Sequence, residues 1–330
     1  MSNRDDGQRL RIGVIGLGVM GQRMLARLAG HERLQAAWVW DADPAAVART
    51  LQTYPQLRAA DSAAGLIASE GLHSLYIATP PAPHMALTEL AFDAGLAVFC
   101  EKPLTVDFEA ARRCIARIER EGRRAAVNFA LASSPGLGLL QTSFGAAAKR
   151  PLGELTAVEL EVAFAAWPRP WQAAAGRWLA ERVEGGFTRE VLSHFIFVLQ
   201  RVLGPATVQA SAASYPADGI GAETALRAEL QAGGVPVRIT GAVAGEVADR
   251  NRMLWRGAAG EIELGQWFSE VQQRRHDGSR PLGDAALLRN AAQADQLQQW
   301  VAMIEGRSHS LPGYAESLAV QQTIEALLRR

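Results

Sequence analysis

Cysteine is nearly absent: Cys100 and Cys114 are the only two in 330 residues. One ends an apolar run and the other falls in a helical stretch, so the chain offers neither a disulfide framework nor a metal-type spacing, and no metal site is expected. Both thiols are expected to be reduced and buried. An excess of either charge is absent as well. The 34 basic and 34 acidic residues cancel, which argues against a nucleic-acid footprint or a membrane-surface patch and in favour of a small-molecule partner. No apolar run approaches the length needed to span a membrane. The opening Met1-Ser2-Asn3-Arg4-Asp5-Asp6-Gly7 has no apolar segment behind its charges, so a secretory leader is not expected and a cytoplasmic location is. Internal repeats are missing too, and low complexity goes no further than a general richness in alanine. What remains is ordinary globular material, 48% hydrophobic and 21% charged, in a chain long enough for two domains.

Against that background the stretch from Leu10 to Gly30 stands out. Leu10–Ile15 is a short, mostly apolar run of strand type, Gly16-Leu17-Gly18-Val19-Met20-Gly21 interrupts it, and Gln22–Leu28 resumes with helical spacing. Gly16 permits the tight turn, Gly18 lets the backbone approach a pyrophosphate, and Gly21 lets the helix lie close to the strand. The helix N-terminus offers N–H groups and a positive dipole end to phosphates. Gln35–Trp40 reads as the next strand, and Asp41 closes it twenty residues after Gly21. A carboxylate there accepts both ribose hydroxyls of an adenosine and repels a 2′-phosphate, so NAD is favoured, with NADP left open. The plainer alternative has Asp41 capping the helix that begins near Pro44.

Strand and helix go on alternating. Helices are expected at Pro44–Leu51, Ala63–Ser69, Met85–Ala94 and Phe108–Glu121, and strands at Leu75–Ala78, Leu96–Cys100 and Ala125–Phe129. Such alternation implies a parallel sheet covered on both faces, with ligands outside the carboxyl ends of its strands. The glycine loop, Asp41, the proline-dense Thr79-Pro80-Pro81-Ala82-Pro83-His84 and Glu101-Lys102-Pro103 then face one crevice. The glycine loop, Ala-Thr-Pro-Pro with His84 behind it, and Cys-Glu-Lys-Pro-Leu at 100–104 together resemble the glucose–fructose oxidoreductase, inositol dehydrogenase and rhizopine-catabolism family. The resemblance implies an α/β protein. A doubly wound NAD(P)-binding Rossmann domain is expected over 1–127, and over 128–330 an α/β domain with an open, mainly antiparallel sheet for substrate binding and oligomerisation.

A lysine after a strand is commonly a solvated charge, and Glu101 offers it a partner. Here Pro103 fixes the backbone behind Lys102, at the place where the nicotinamide end of a dinucleotide projects. A cation there can stabilise alkoxide character on a reacting oxygen. By resemblance Lys102 is the family's catalytic lysine, and a cis Lys102–Pro103 bond is expected. The resemblance puts the dinucleotide on Gly16, Leu17, Gly18, Met20, Gly21 and Asp41, with Thr79, Pro80, Pro81, His84, Glu101 and Lys102 along its nicotinamide side. His84 is either an active-site neighbour or a helix-start residue.

Beyond Phe129 the rhythm changes. Pro135–Ala148 is small-residue helix or loop, and Glu154–Ala165 alternates as a half-exposed strand. Further strands are expected near Thr207–Ser214, Thr224–Ala232, Val235–Ala244, Arg250–Arg256 and Gly260–Leu264, joined by tight turns such as Ala232-Gly233-Gly234, hence antiparallel. The broad face of this sheet is, by resemblance, the surface that makes a homodimer or homotetramer. Between its strands, Gly185-Gly186-Phe187-Thr188-Arg189-Glu190-Val191-Leu192-Ser193-His194 leads into an apolar helix. Glu190 and His194, four apart, share a helical face, and the carboxylate can fix the imidazole's tautomer. The stretch resembles the family's glycine-rich segment whose histidine is the acid/base. Glu184, Glu190 and Leu192 depart from it where glycine, aspartate and glycine are usual. The plainer account is an ordinary polar pair bounding a buried helix. Trp167, Trp171 and Trp178 either wall a pocket or pack in the core. Asp284–Ile304 and Tyr314–Arg330 are amphipathic scaffold helices.

The expected activity is an NAD(P)-dependent dehydrogenase or reductase acting on a secondary alcohol of a sugar or polyol, with Lys102, His194 and Glu190 as catalytic residues. Two rivals remain: a hydrolase or lyase that cycles a bound NAD, and a non-catalytic nucleotide or sugar sensor.

Overall fold

The structure, a computed structural model, describes residues 9–243, 245 and 249–329. The expected end of one strand at Ala244 and the opening Met1–Gly7 lie outside them. Two compact units emerge, Met1–Asn128 with Leu297–Ala315, and Phe129–Gln296 with Glu316–Arg330. A single division between 127 and 128 is therefore too simple. The reason is Trp300, which is fully buried in the first unit, with its ring 5.0 Å from that of Phe99 and 5.8 Å from that of Tyr76. Its indole N–H donates to Ser74 Oγ at 3.1 Å. The later half of the helix Ala285–Glu305 thus completes the core of the first sheet, a contribution that amphipathic spacing alone does not assign.

The first unit contains six strands, β1 (Leu10–Ile15), β2 (Leu34–Trp40), β3 (Arg58–Ala59), β4 (Ser74–Ile77), β5 (Ala97–Glu101) and β6 (Ala125–Asn128), in the order β3-β2-β1-β4-β5-β6. All pair in parallel. Both β4 and β5 are buried along their whole length, which explains their unbroken apolar runs. The two-residue β3 escapes the sequence reading because it is too short and too exposed to carry a pattern. The order reverses beside β1, so the strand ends there open a crevice suited to a dinucleotide. Asp107 caps the helix Phe108–Glu121, and Gly122, at φ 63°, ends it.

The second unit carries an eight-stranded sheet of β7 (Leu155–Phe164), β8 (Ala206–Ser214), β9 (Ala225–Ala232), β10 (Val235–Val243), β11 (Arg250–Gly257), β12 (Gly260–Gly265), β13 (Glu270–Arg275) and β14 (Gly278–Pro281). Its order is β14-β13-β12-β11-β7-β10-β9-β8. The sheet is mainly antiparallel, as expected, and β9 and β10 meet across Gly233 and Gly234, both left-handed as a tight hairpin requires. One pair departs from the expectation: β7 and β10 are parallel. The chain between them is long enough to return to the same end of the sheet, whereas short turns impose the antiparallel arrangement elsewhere. The strands β13 and β14 also go beyond the sequence reading; only Val271 in them is buried, so they show no apolar alternation. One face of the sheet buries Val158, Leu160, Val162, Leu226, Leu230, Val237 and Ile239. Its other face is a mosaic of cross-strand ion pairs, Arg256 with Glu159 and Glu261, Arg274 with Glu261 and Glu263, and Arg252 with Glu263. Among the described residues, no helix is long and apolar enough to cross a membrane.

Candidate active site

The glycine loop comes first, because its shape tests whether a dinucleotide fits. Gly16 sits at φ +93°, and a methyl group there would lie 2.5 Å from the backbone carbon and oxygen of Ala78. Only glycine lets β1 and β4 end this close together. At Gly21 a methyl would overlap the Gly16 carbonyl oxygen, so this glycine serves the turn more than the strand. At Gly18, which is exposed, a methyl would meet nothing within 4 Å. The two glycines around it close the turn and leave an open concavity at the start of the helix Val19–Ala29, where N–H groups are available to an anion. The residues present fit a pyrophosphate.

Asp41 is not the cap of the helix at Pro44, which removes the plainer of its two readings. Its Oδ2 accepts the Leu17 N–H at 2.6 Å and its Oδ1 accepts the Asp43 N–H at 2.8 Å. The helix at Pro44 is capped by Asp43, whose Oδ1 accepts from Ala45 N at 2.9 Å. Asp41 is therefore turned into the glycine loop. A carboxylate has about four acceptor positions, so with two in use the group can still receive two ribose hydroxyls.

The ends of β4, β5 and β6 are joined by a buried polar cluster. Glu101, 4% exposed, accepts the Tyr76 hydroxyl and, at 2.7 Å, the Asn128 amide. Burial, reinforced by Glu101, pushes the Tyr76 phenol well above its ordinary pKa, so it remains a donor. The carboxylate is thereby pinned by two neighbouring strands, and the half-buried Lys102 leaves the end of β5 from that anchor. The Lys102–Pro103 bond is cis, as expected. Lys102 is one of only two lysines, the other being Lys149, in a chain that otherwise uses arginine as its base. A compact ammonium in place of a planar fork suits a point contact to one oxygen.

His84 is the first residue of the helix His84–Asp93, one of the two places left open for it. Its ring is fully buried, with Nδ1 3.2 Å from Leu104 O and Nε2 3.0 Å from Thr79 O. Burial lowers its pKa, although the carbonyls oppose that shift. The imidazole clamps the Thr79–Pro81 loop to the backbone just after Lys102-Pro103, and so sets two stretches of the crevice. Thr79 is half-buried, Pro80 exposed and Pro81 buried. Leu17 is buried, while Met20 lies half-buried in the first turn of the helix.

In the second unit, Glu190 and His194 lie on one continuous helical segment, but its first part is not α-helical. Thr188–Leu192 is a π turn, with the Ser193 N–H reaching back to Thr188 O, before the α-helix Ser193–Leu203. Turns of this kind recur at functional sites. His194 is 6% exposed, and its ring meets those of Phe129 at 5.7 Å and Trp267 at 5.4 Å, both edge-on. Trp267 was not foreseen from sequence. It sits in the run Gln266-Trp267-Phe268, whose φ values are 46°, 57° and 61°, all in the left-handed region without a glycine. Asn251 Oδ1 holds the run by accepting the Trp267 N–H at 2.7 Å. Of the three tryptophans singled out earlier, Trp167 and Trp171 flank the buried Arg169, whose guanidinium also lies over Phe164 and Trp267. Trp178 is half-buried. Among the described residues, no group of three or more His, Cys, Asp or Glu could hold a metal ion.

The first unit is thus an α/β unit of the doubly wound class, with a glycine loop after β1, an acidic residue after β2 and a lysine after β5, all at the carboxyl ends of the strands. Comparison with known proteins agrees. Residues 10–129 match the model of the oxidoreductase family with an NAD-binding Rossmann fold. Inositol 2-dehydrogenase of Corynebacterium glutamicum (strain R) is 32% identical over 109 residues, covering 32% of this chain and 32% of that enzyme. Inositol 2-dehydrogenase of Rhizobium meliloti is 30% identical over 121 residues, 36% of each chain. The chain therefore spans about a third of the length of these curated relatives in sequence. Structural likeness extends further. An oxidoreductase from Agrobacterium radiobacter, solved with NAD+, L-tartaric acid and magnesium, superposes with a TM-score of 0.80 at 18% identity, covering 97% of this chain and 95% of that one. The WlbA dehydrogenase of Chromobacterium violaceum, solved with NADH and UDP-GlcNAcA, gives 0.81 at 17%, covering 98% and 94%. At such identities the likeness establishes the fold of both units.

Proposed function

We propose that this protein is an NAD-dependent dehydrogenase, or the reverse reductase, acting on a secondary alcohol of a sugar or polyol. The single observation that supports it most is the Asp41 carboxylate turned into the glycine loop. A carboxylate beside the glycine loop supports NAD as the cofactor, because it can accept ribose hydroxyls and repels a 2′-phosphate. The inositol 2-dehydrogenases among the sequence relatives support the substrate class. When bound, the nicotinamide supplies the hydride acceptor. Gly16, Leu17, Gly18, Met20 and Gly21 bind the dinucleotide with Asp41, and the stretches Thr79–Pro81 and Glu101–Lys102 shape its nicotinamide end. Lys102 Nζ donates to the substrate oxygen and holds the charge that grows there. An imidazole nitrogen of His194 takes the hydroxyl proton, and Glu190 fixes the tautomer that can accept it. On this reading the protein works in the cytoplasm, with its two buried cysteines reduced. It forms a homo-oligomer through the charged face of the eight-stranded sheet, whose alternating signs suit pairing with a copy of itself.

The test is a panel of sugars and polyols offered with NAD and NADP and followed at the NADH absorbance band. Stoichiometric NADH with NAD and one class of polyol is the expected result. Product formed without net NADH would replace this reading with an NAD-cycling lyase or hydrolase, and binding without turnover across the panel would leave a sensor.

A further inference from the structure

The π turn ahead of His194 begins on a residue that cannot cap it. Phe187 precedes the turn and has no side-chain acceptor, so the first N–H groups must find partners elsewhere. The partner comes from 35 residues further along the chain: Glu223 Oε1 accepts the Thr188 N–H at 2.7 Å. Glu223 is 2% exposed. Burial raises its carboxyl pKa, and hydrogen bonds from Thr188 together with the Arg189 charge act against that rise. The seat for this carboxylate is built. Gly186 stands at φ +100°, and a methyl there would lie 2.6 Å from Glu223 Oε1 and overlap Oε2. The second glycine of the pair thus leaves room for the carboxylate on its backbone. The segment bearing Glu223 is itself held, by Ala222 N to Ala180 O and Arg182 N to Ile220 O, both 2.8 Å. Arg189 ties the same turn down from the other side, donating to Arg182 O at 2.8 Å and Gly185 O at 2.9 Å while paired with Glu325.

A π turn holds one residue more than an α turn. If it relaxed, everything on one side would rotate by about 100° relative to the other, since an α-helix has 3.6 residues per turn. Glu190 lies inside the turn and His194 just beyond it, so the relation between these two side chains depends on the π register.

We propose that Glu223 is a positioning residue for the reaction: its carboxylate, seated on Gly186 and bonded to Thr188, holds the π turn and thereby the aim of Glu190 and His194. The inference rests on the reading of His194 as the acid/base, and the test separates the two. Glu223→Ala, Glu223→Gln and Gly186→Ala are compared with wild type by amide hydrogen exchange over residues 187–194 and by steady-state kinetics. Glu223→Ala is expected to expose the Thr188 amide and to cut kcat about 10²-fold, the cost of a misplacement of about 1 Å. The KM for the alcohol and the Kd for NAD should stay within a few-fold. Glu223→Gln keeps a carbonyl acceptor and should restore both protection and kcat. Gly186→Ala displaces the carboxylate without removing it and should reproduce Glu223→Ala. Should Glu223→Ala fail to fold, Glu223→Asp, with its carboxylate drawn back by one methylene, takes its place under the same two readouts. Wild-type exchange at Thr188, or lost protection with unchanged kcat, overturns the inference. Full turnover in His194→Ala overturns instead the role given to the histidine, and the exchange measurement stands whichever way that falls.

Discussion

Removing the Asp41 charge is the sharpest test of the proposed cofactor site, because the carboxylate would then have two separable jobs. It holds the loop through the Leu17 and Asp43 N–H groups, and on the proposed reading it also binds the adenosine ribose. In Asp41→Ala the first job is lost for any dinucleotide, and that loss cancels when NAD is compared with NADP. The second is lost only for NAD, at about 1.5–3 kcal/mol for a hydrogen bond to a charged acceptor. For NADP the sign reverses. Two unit charges about 4 Å apart repel by about 1 kcal/mol in water and about 4 kcal/mol at an effective dielectric of 20, and the half-exposed Asp41 lies between those limits. The two terms act on the ratio in the same direction, so the NAD-to-NADP affinity ratio should fall by about 2.5–7 kcal/mol, or at least about 60-fold. Asp41→Asn keeps the shape and one acceptor while losing the charge, so it should show most of the same ratio change with less loss of NAD binding. Calorimetric titration of both variants with both dinucleotides reads this directly. An equal loss for NAD and NADP would mean that Asp41 only shapes the loop, and the preference for NAD would have to come from elsewhere.

Replacing Lys102 by Met should lower kcat by about 10²–10³-fold, as for the loss of one preorganised donor at a developing oxyanion, with the NAD dissociation constant nearly unchanged; equal losses in both would make it a cofactor ligand. Trp300→Ala should destabilise the protein by about 3–5 kcal/mol, read as a lower thermal midpoint, whereas a surface role for this helix would predict almost no change. Burial lowers the pKa of His84 below its ordinary 6.5. Below that pH the unfolded chain takes up a proton that the folded one refuses, so stability should fall with pH by up to about 1.4 kcal/mol per pH unit until the folded pKa is reached. His31, also lowered by burial, acts in the same direction. Denaturant titrations between pH 7 and 5 should show a shallower slope in His84→Asn than in wild type, and an unchanged slope would acquit the clamp.

The first unit was legible because its signals are local. A strand buried on both faces is a run of apolar residues, and a pyrophosphate loop needs glycines at fixed spacing, so β1, β4, β5, Gly16 and Gly21 can each be read from a few neighbours. Asp41 was half legible: its spacing marked it, but Asp43 two residues on offered an equally good carboxylate, and only the fold shows which of them caps the helix. In the second unit, alternation revealed the apolar strands and missed β13 and β14, where no face is apolar enough to show.

From its sequence alone this chain determined the order of its elements, the glycine loop and the strand-end positions of Asp41 and Lys102, because hydrophobic period and glycine geometry act over a few residues. Only the tertiary structure decided that Trp300 fills the core of the first sheet, that His84 clamps two loops by their carbonyls, that three left-handed residues present Trp267 to His194, and that Glu223 caps a helix it does not adjoin. Each of these is a contact between residues far apart in the chain, and their spacing in the sequence carries no trace of a meeting brought about by the packing of whole elements.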